Sequence, residues 1–511
     1  MNSYDISDAY LRPQVHVNNS WFVASVRMLV LSLALLVYIL LLIDLITNFQ
    51  GMVIYTLLLL SYISVEIRNL WARDRYIFWI NPVVLASILT FVLSFGVTNI
   101  LYFLPENMLS LVGLSPIITV WMNQLMLLVI LAAVSMWVGY ASGLGRGLGS
   151  KLQRSRVLRK WVSPSFRVNK LALYIFLAIS LIAKLWGIKL GVYGYSSTYD
   201  QLMVVASYTQ YFYLAGLLGK LALVSAALQC FAASRHQRSS FVDKQVLWLV
   251  LGYEVAFGFL SGFKSAIVMP FIIVGLVYYS QHNRFPRWLI PTILAGLMTA
   301  YAVIEPFRVA SNDKDSGFVG TSFSSIVSTM MSFSSVNVDD DVERASKVLQ
   351  ISTRMNMTYI GSLGIEYAAN HSELPASSPK FLGDIILAPV HALIPRLLWP
   401  SKSLQNIGLW YTNQVRGFDF KSSTAMSPFT YLNFAGGPLA VILGFFMVGV
   451  LQRGLFDGLR HFGGGGLIIF FGLLGTLANI DSAFNGVFIT LIRFFPLLVF
   501  AQYVLLQRPR R

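Results

Sequence analysis

The chain has 511 residues but a single cysteine, Cys230, so no intramolecular disulfide can form. Charge is scarce too: 12% of the residues are Asp, Glu, Lys or Arg, about half of what soluble domains carry. Acidic groups are the scarcer kind, 22 against 38 Lys and Arg. The signatures of many soluble enzymes are missing: no P-loop, no HExxH, no GxSxG and no CxxC. No internal repeat appears at the periods common in transporters, and no cleavable signal peptide is evident. Arg12 and Arg27 precede an apolar run too long for a signal-peptide core, which predicts a signal anchor.

What is present is apolar: 56% of the residues, with a mean hydropathy of +0.66. Repeated apolar stretches of the length that spans a bilayer predict an all-α polytopic membrane protein. About twelve spans can be placed, near 28–46, 50–67, 83–103, 117–141, 171–187, 210–232, 246–261, 265–280, 289–305, 429–451, 466–480 and 486–506. Lys and Arg gather on one side of this pattern, in Arg68, Arg73 and Arg75 and in the run from Arg146 to Lys170. Short loops on the other side hold only Lys189 and Lys264. Positive charge is retained in the cytoplasm, so both termini are expected there. The basic balance is then that of membrane flanks resting on anionic lipid, and nucleic acid is not an expected partner.

Three segments follow: residues 1–305 as an N-terminal bundle of about nine spans, 306–428 as one large external loop, and 429–511 as about three further spans. Within the loop, 311–335 is Ser-rich, and Asp339-Asp340-Asp341 suits the start of a helix. The same triplet contains the D-x-D of metal-dependent sugar transferases, but a helix start suffices, and no metal site is assigned. Asn356-Met357-Thr358 has the form of a glycosylation sequon and carries no message of its own. Gly258 and Gly262 predict close helix packing.

The most informative stretch runs from Pro379 to Gly437. It is apolar, yet Pro389, Pro395 and Pro400 break any spanning helix. His391, Arg396, Lys402, Arg416 and Lys421 outweigh Asp384 and Asp419. A folded basic segment at the membrane interface is expected, re-entrant or lying along the surface. A single helix over 380–391 would put Lys380, Asp384 and His391 on one face, with Asp384 orienting the imidazole as a base; Pro389 works against that helix. Ionisable groups in or near spans are costly and mark candidate function: Asp44, Glu66, Lys184, Lys220, Glu254, Lys264, Glu305, Arg308, Asp481 and Arg493. Those at span ends can snorkel to the interface. Lys220 and Glu254 lie deepest, and a structural pair between the sixth and seventh spans would explain both. Lys264, Arg308, Arg354, Arg396, Lys402 and Arg416 converge on the external side, where arginine forks suit phosphate oxygens.

IPRLLWPSKS (394–403), a Gly/Ser/Thr-rich segment and SPFTYLNFAGGPLAVILGFFMVGVL (427–451) together resemble bacterial oligosaccharide repeat-unit polymerases, the Wzy-type O-antigen and exopolysaccharide polymerases. SGFKSAIVMPFIIVGLVYY (261–279) and EPFRVA (305–310) are also similar to that family. Where the family has Ser-Gly-Ser-Arg, this chain has Phe263-Lys264, keeping charge but losing the bidentate fork. The motifs cover the C-terminal half; the first 240 residues match in topology alone.

The resemblance implies a GT-C-like fold with one large periplasmic loop in the bacterial inner membrane. It implies undecaprenyl-pyrophosphate-linked oligosaccharide as substrate, and a chain-length regulator and flippase as partners. It further implies His391, Arg396 and Arg308 as catalytic groups. Lys264, Arg308, Arg354, Arg396, Lys402 and Arg416 would bind the pyrophosphate. Lipid pyrophosphate is already an activated donor, so neither cofactor nor metal is expected. A secondary transporter or lipid-linked-oligosaccharide flippase is the rival reading, and a scaffold of an export complex a third.

Overall fold

The computed structural model describes residues 20–75, 78–104, 118–189, 193, 199–236, 240–261, 264–296, 356–371, 374, 378–394, 399, 407–417, 426–480 and 484–507. These residues are helical throughout, and their one extended pairing is the isolated bridge Val168–Leu506.

Eight helices are long and apolar enough to cross a membrane. They are α1 (Ser20–Leu42), α2 (Asn48–Arg73), α3 (Pro82–Phe103), α4 (Val120–Ala141), α7 (Lys170–Lys189), the 214–232 part of α8 (Tyr199–His236), α15 (Pro428–Arg460) and α17 (Phe484–Leu505). Between α4 and α7 lie α5 (Gly143–Arg154) and α6 (Arg156–Trp161). After α8 come α9 (Phe241–Leu260) and α10 (Lys264–His282); α9 carries Asp243, Lys244 and Glu254 and is not among the eight. The apolar part of α10 and all of α16 (Gly463–Ala478) are shorter. The expected span at 289–305 lies mostly outside the described residues.

The first span differs from expectation at both ends. It begins before Arg27 rather than after it, because Arg27 is neutralised inside the bundle. Its guanidinium donates to both oxygens of Glu66, at 2.6 and 3.1 Å, and Tyr62 donates to the same carboxylate at 2.9 Å. It ends at Leu42 because Asp44 takes a left-handed conformation (φ 55°). Asp44 N–H donates to Leu41 O and Leu45 N–H to Leu40 O, which closes the helix with a Schellman motif. Thr47 and Gln50 then open α2 with a reciprocal capping box.

Packing divides the chain into two compact units, which interleave along the sequence. The first takes in the described parts of Met1–Ser155, Asp339–His461 and Leu473–Pro496. The second takes in those of Arg156–Val338, Phe462–Gly472 and Leu497–Arg511.

In the first unit α4 is the central helix, with 72% of its spanning window buried, against 17% for α1 at the periphery. It meets α15 at backbone distance. A Cβ on Gly449 would lie 2.0 Å from Met136 O, and one on Gly139 2.1 Å from Phe446 O. The contact continues along α5, where Gly145 faces the Arg453 side chain and Gly149 that of Asp457. Part of the basic run is thus an amphipathic helix. Gly145 and Gly149 seat on α15 while Arg146, Lys151 and Arg154 are exposed.

Helix α3 is irregular. Wide π turns over Ser87–Gly96 give way to tight 3-10 turns over Val97–Phe103. Irregular backbone at membrane depth must find other partners, and residues 356–358, within the long 306–428 segment, supply them. Met357 N–H donates to Ser94 O at 3.2 Å and Asn356 Nδ2 to Thr98 O at 3.0 Å. Asn356 Nδ2 and Thr358 Oγ1 both donate to Asn99 Oδ1, at 3.1 and 2.6 Å. Asn356, Thr358 and Asn99 are fully buried, so the sequon is a structural lock.

In the second unit α8 is the central helix, packed by α7, α9 and α10. The close packing expected at Gly258 is present: a Cβ there would lie 2.6 Å from Ala266 O of α10. Gln502 ties this unit together by accepting from Ser163 N–H and donating to Trp161 O.

The α4–α15 contact has a test. Gly449→Ala must push two backbones apart and is expected to cost about 1–3 kcal/mol, read as a lower thermal unfolding temperature in detergent. Gly147→Ala on α5, with open space around it, should instead gain up to about 1 kcal/mol from helix propensity.

Candidate functional site

Of the site residues expected from the sequence, His391 and Arg416 fall within the described structure. Arg308, Arg354, Arg396 and Lys402 lie outside the described residues, as do the Asp339–Asp341 triplet, Glu305 and Asp481. Lys264 is the first residue of α10, and its side chain is likewise outside them.

The site region is built on the end of α15 remote from Arg453 and Arg460. Four short helices gather there: α11 (Thr358–Asn370), α12 (Phe381–Ile386), α13 (Ala388–Leu393) and α14 (Ile407–Trp410), the last running on in wide turns to Val415. Helix α15 itself is broken near this end. Gly437 has φ 65° and ψ −157°, a combination reserved for glycine, and Pro438 restarts the helix beyond it. The AGG of the quoted motif is therefore a joint between a short helix and the span.

An aromatic layer holds these pieces together. Phe381 of α12 stacks face to face on Phe434 of α15, ring centroids 5.0 Å apart. Trp410 meets both edge-on at 5.5 and 5.7 Å, and Tyr431 meets Phe381 edge-on at 5.1 Å. Such pairs add roughly 0.5–1.5 kcal/mol each beyond burial. The hydroxyls are used as well. Tyr431 donates to Phe381 O at 3.3 Å, and Tyr411 donates to Ile360 O. Burial raises the Tyr411 hydroxyl's pKa well above the phenol range, with Arg416 opposing the shift, so Tyr411 is a neutral brace.

The stretch 380–391 is two helices rather than one, as Pro389 predicts. That proline sits in the first turn of α13, where a missing N–H costs nothing, and Leu387 forms the corner between α12 and α13. Asp384 and His391 nevertheless remain in electrostatic reach of each other. Desolvation raises the Asp384 pKa, while the charges of His391 and Lys380 oppose the rise. His391 is 5% exposed, and its ring stands edge-on to Trp399 of the LWP motif at 5.5 Å.

The residue that sequence reasoning left without a role here is Arg493. It projects from α17 and donates to the carbonyl oxygens of His391 (3.3 Å) and Ala392 (3.4 Å). Those are C-terminal carbonyls of α13, which lack partners within the helix. A cation there also suits the negative end of the helix dipole. Arg493 is thus a positioning residue for His391. Its signal in the sequence was a charge inside an apolar run, which cannot say what it meets.

No protein-family model, curated protein or solved structure matches this chain. Function therefore rests on the residues and their geometry.

Two outcomes test the site's construction. Arg493→Ala should cost about 1–3 kcal/mol by stranding two carbonyls, and should raise amide exchange across 388–394 more than elsewhere. The Asp384 carboxyl has a folded pKa above its unfolded one, so the native state binds the extra proton. Stability should then fall as pH rises from the ordinary carboxylate value through the raised one. Asp384→Asn should flatten that slope in unfolding temperatures measured between about pH 3.5 and 6.

Proposed function

We propose that this chain polymerises oligosaccharide repeat units carried on undecaprenyl pyrophosphate, at the periplasmic face of the bacterial inner membrane. The reading takes the fold as GT-C-like, with about twelve spans, cytoplasmic termini and one large periplasmic loop. One observation carries it. The segment bearing the polymerase-like motifs holds a buried histidine, braced by Arg493 and Trp399 and within electrostatic reach of Asp384. The exposed cations of α5 and α6, on the opposite flank by sequence topology, suit retention of that flank in the cytoplasm.

The chemistry is a displacement at the anomeric carbon. A hydroxyl oxygen of the incoming repeat unit forms a bond to that carbon as the bond to the pyrophosphate oxygen breaks. The electron pair leaves with the lipid pyrophosphate. The hydroxyl proton passes to His391, the proposed base. Arg308, Arg396, Arg354, Lys264, Lys402 and Arg416 are proposed to stabilise the leaving charge, because cations preplaced at a dry interface act most strongly where charge develops. The Asp384 carboxyl lies within electrostatic reach of the ring that takes the proton. Flippase and chain-length regulator are the partners this reading calls for.

The test is purified chain in vesicles with a lipid-pyrophosphate-linked repeat unit and chelator present. A ladder of longer products is expected from the native sequence. Arg396→Ala or Arg308→Ala should lower its rate about 10²–10³-fold, and His391→Asn about 10²–10⁴-fold. Labelled lipid crossing the bilayer without a ladder would replace this reading with the flippase.

A further inference from the structure

The second unit contains an ionic cluster that the reading above does not use. The sequence pointed to Lys220 and Glu254 as a pair, but the pairing is different. Glu254 Oε1 of α9 accepts from Lys184 Nζ of α7 at 2.9 Å, both side chains nearly buried. The rings of Tyr253 and Phe257 roof that ammonium at 4.3 and 5.0 Å. Tyr253 donates its hydroxyl to Ser180 Oγ, which donates to Ala215 O. These groups are spent on one another and brace the pair.

Lys220 makes no hydrogen bond or ion pair among the described residues. It lies beside the pair nonetheless. The Glu254 carboxylate rests against α8 at Gly219, where a Cβ would come 2.0 Å from Oε1. Its charge and that of Lys184 act on each other, as do those of Lys220 and Glu254. One carboxylate therefore serves two ammonium groups, leaving a net positive charge among apolar helices. Such charge is costly without a partner.

Accessibility shows where a partner would enter. Helix α8 is the central helix of this unit, and from Ala215 to Cys230 every residue is buried or half-buried except Lys220, which is exposed. Lys220 therefore faces outward from the central helix, where the residues around it face its neighbours. Its depth is set by the neighbouring helices. Lys184 lies five residues from the end of α7 at Lys189, and Glu254 six from the end of α9 at Leu260. At about 1.5 Å per residue the cluster sits only about 8–9 Å inside those ends. A lysine side chain can cover most of that distance, so its ammonium can reach the level of those helix ends.

We propose that Lys220, with Lys184 behind it and Glu254 as internal counter-charge, forms an anion site for a phosphate-bearing headgroup. Lys220 supplies three donors with no partner among the described residues, and a compact ammonium is a fitting partner for phosphate oxygens. The Lys184–Glu254 pair sets the strength: the carboxylate holds the lysines without a ligand and weakens the site when one binds. This site uses none of the cations assigned to the transfer reaction, and it stands without that reaction.

The experiment is a titration of the full chain in a neutral detergent, with binding read from the unfolding temperature and from tryptophan emission. One arm uses phosphatidic acid in phosphatidylcholine micelles, the other inorganic pyrophosphate. Native protein should bind at least one probe, Lys220→Gln should bind it at least tenfold more weakly, and Glu254→Gln should bind it more tightly. Lys160→Gln on the exposed basic helix α6 should leave binding unchanged. Response to phosphatidic acid alone identifies a lipid headgroup as the source, and response to pyrophosphate alone identifies a soluble phosphate. Equal affinities for native protein and Lys220→Gln, or no binding to either probe, would overturn the proposal. Lys220 is exposed and has no bonded partner among the described residues, so its replacement should not unfold the chain; Lys220→Arg, keeping the charge, should restore binding. No sugar transfer enters the readout, so a missing ladder and a missing anion site are separate results.

Discussion

The dominant constraint on this molecule is that polar groups buried among apolar helices must be satisfied by the protein itself. The meeting of Asn99, Asn356 and Thr358 shows what that requires. Helix α3 changes from wide to narrow turns within the bundle, which leaves carbonyls that its own backbone does not use. A segment more than 250 residues away in sequence returns to supply the donors. That return fixes where α11 begins, and α11 in turn packs against Trp410 of α14, the wide turns after it and the first turns of α15. The candidate site therefore depends on a hydrogen-bonded lock whose own members are assigned no chemistry.

The same rule organises the charges, in three ways. Arg27 is admitted to the first span by Glu66 and Tyr62. Arg453 and Arg460 share Asp457. Arg493 is spent on the end of α13, which converts a costly charge into a positioning device for His391. Against these closed arrangements Lys220 is different, since its neighbouring carboxylate is already engaged. Surplus charge with no bonded partner among the described residues is what separates a proposed ligand site from a structural ion pair.

Small residues carry the other half of the architecture. Bilayer hydrocarbon is as apolar as leucine, so helices gain little from hydrophobic contact and associate where backbones approach closely. Gly139 and Gly449 allow this between α4 and α15, and Gly145 and Gly149 extend it to α5. The break at Gly437 serves a different need, letting α15 turn away before the aromatic layer begins.

Hydropathy was enough to establish an all-helical membrane protein and the approximate place of most spans, because length and apolarity are local properties that a bilayer reads directly. The prolines of the 379–437 stretch likewise announced that it would not span, and Pro389 marked the α12–α13 corner. Other features were decided only by tertiary contact. Nothing local distinguishes Arg27 inside a span from a flanking arginine, since Glu66 is 39 residues away. The partner of Glu254 was equally hidden: Lys220 and Lys184 are both lysines in apolar runs, and only the rotation of α7, α8 and α9 about their axes selects Lys184. The sequon at Asn356 carried no message in the sequence and proved to be a buried lock, because its partners lie on another helix. Sequence determines what each residue can satisfy; the folded bundle decides which group it meets, because in an apolar medium that choice depends on who is within hydrogen-bonding distance.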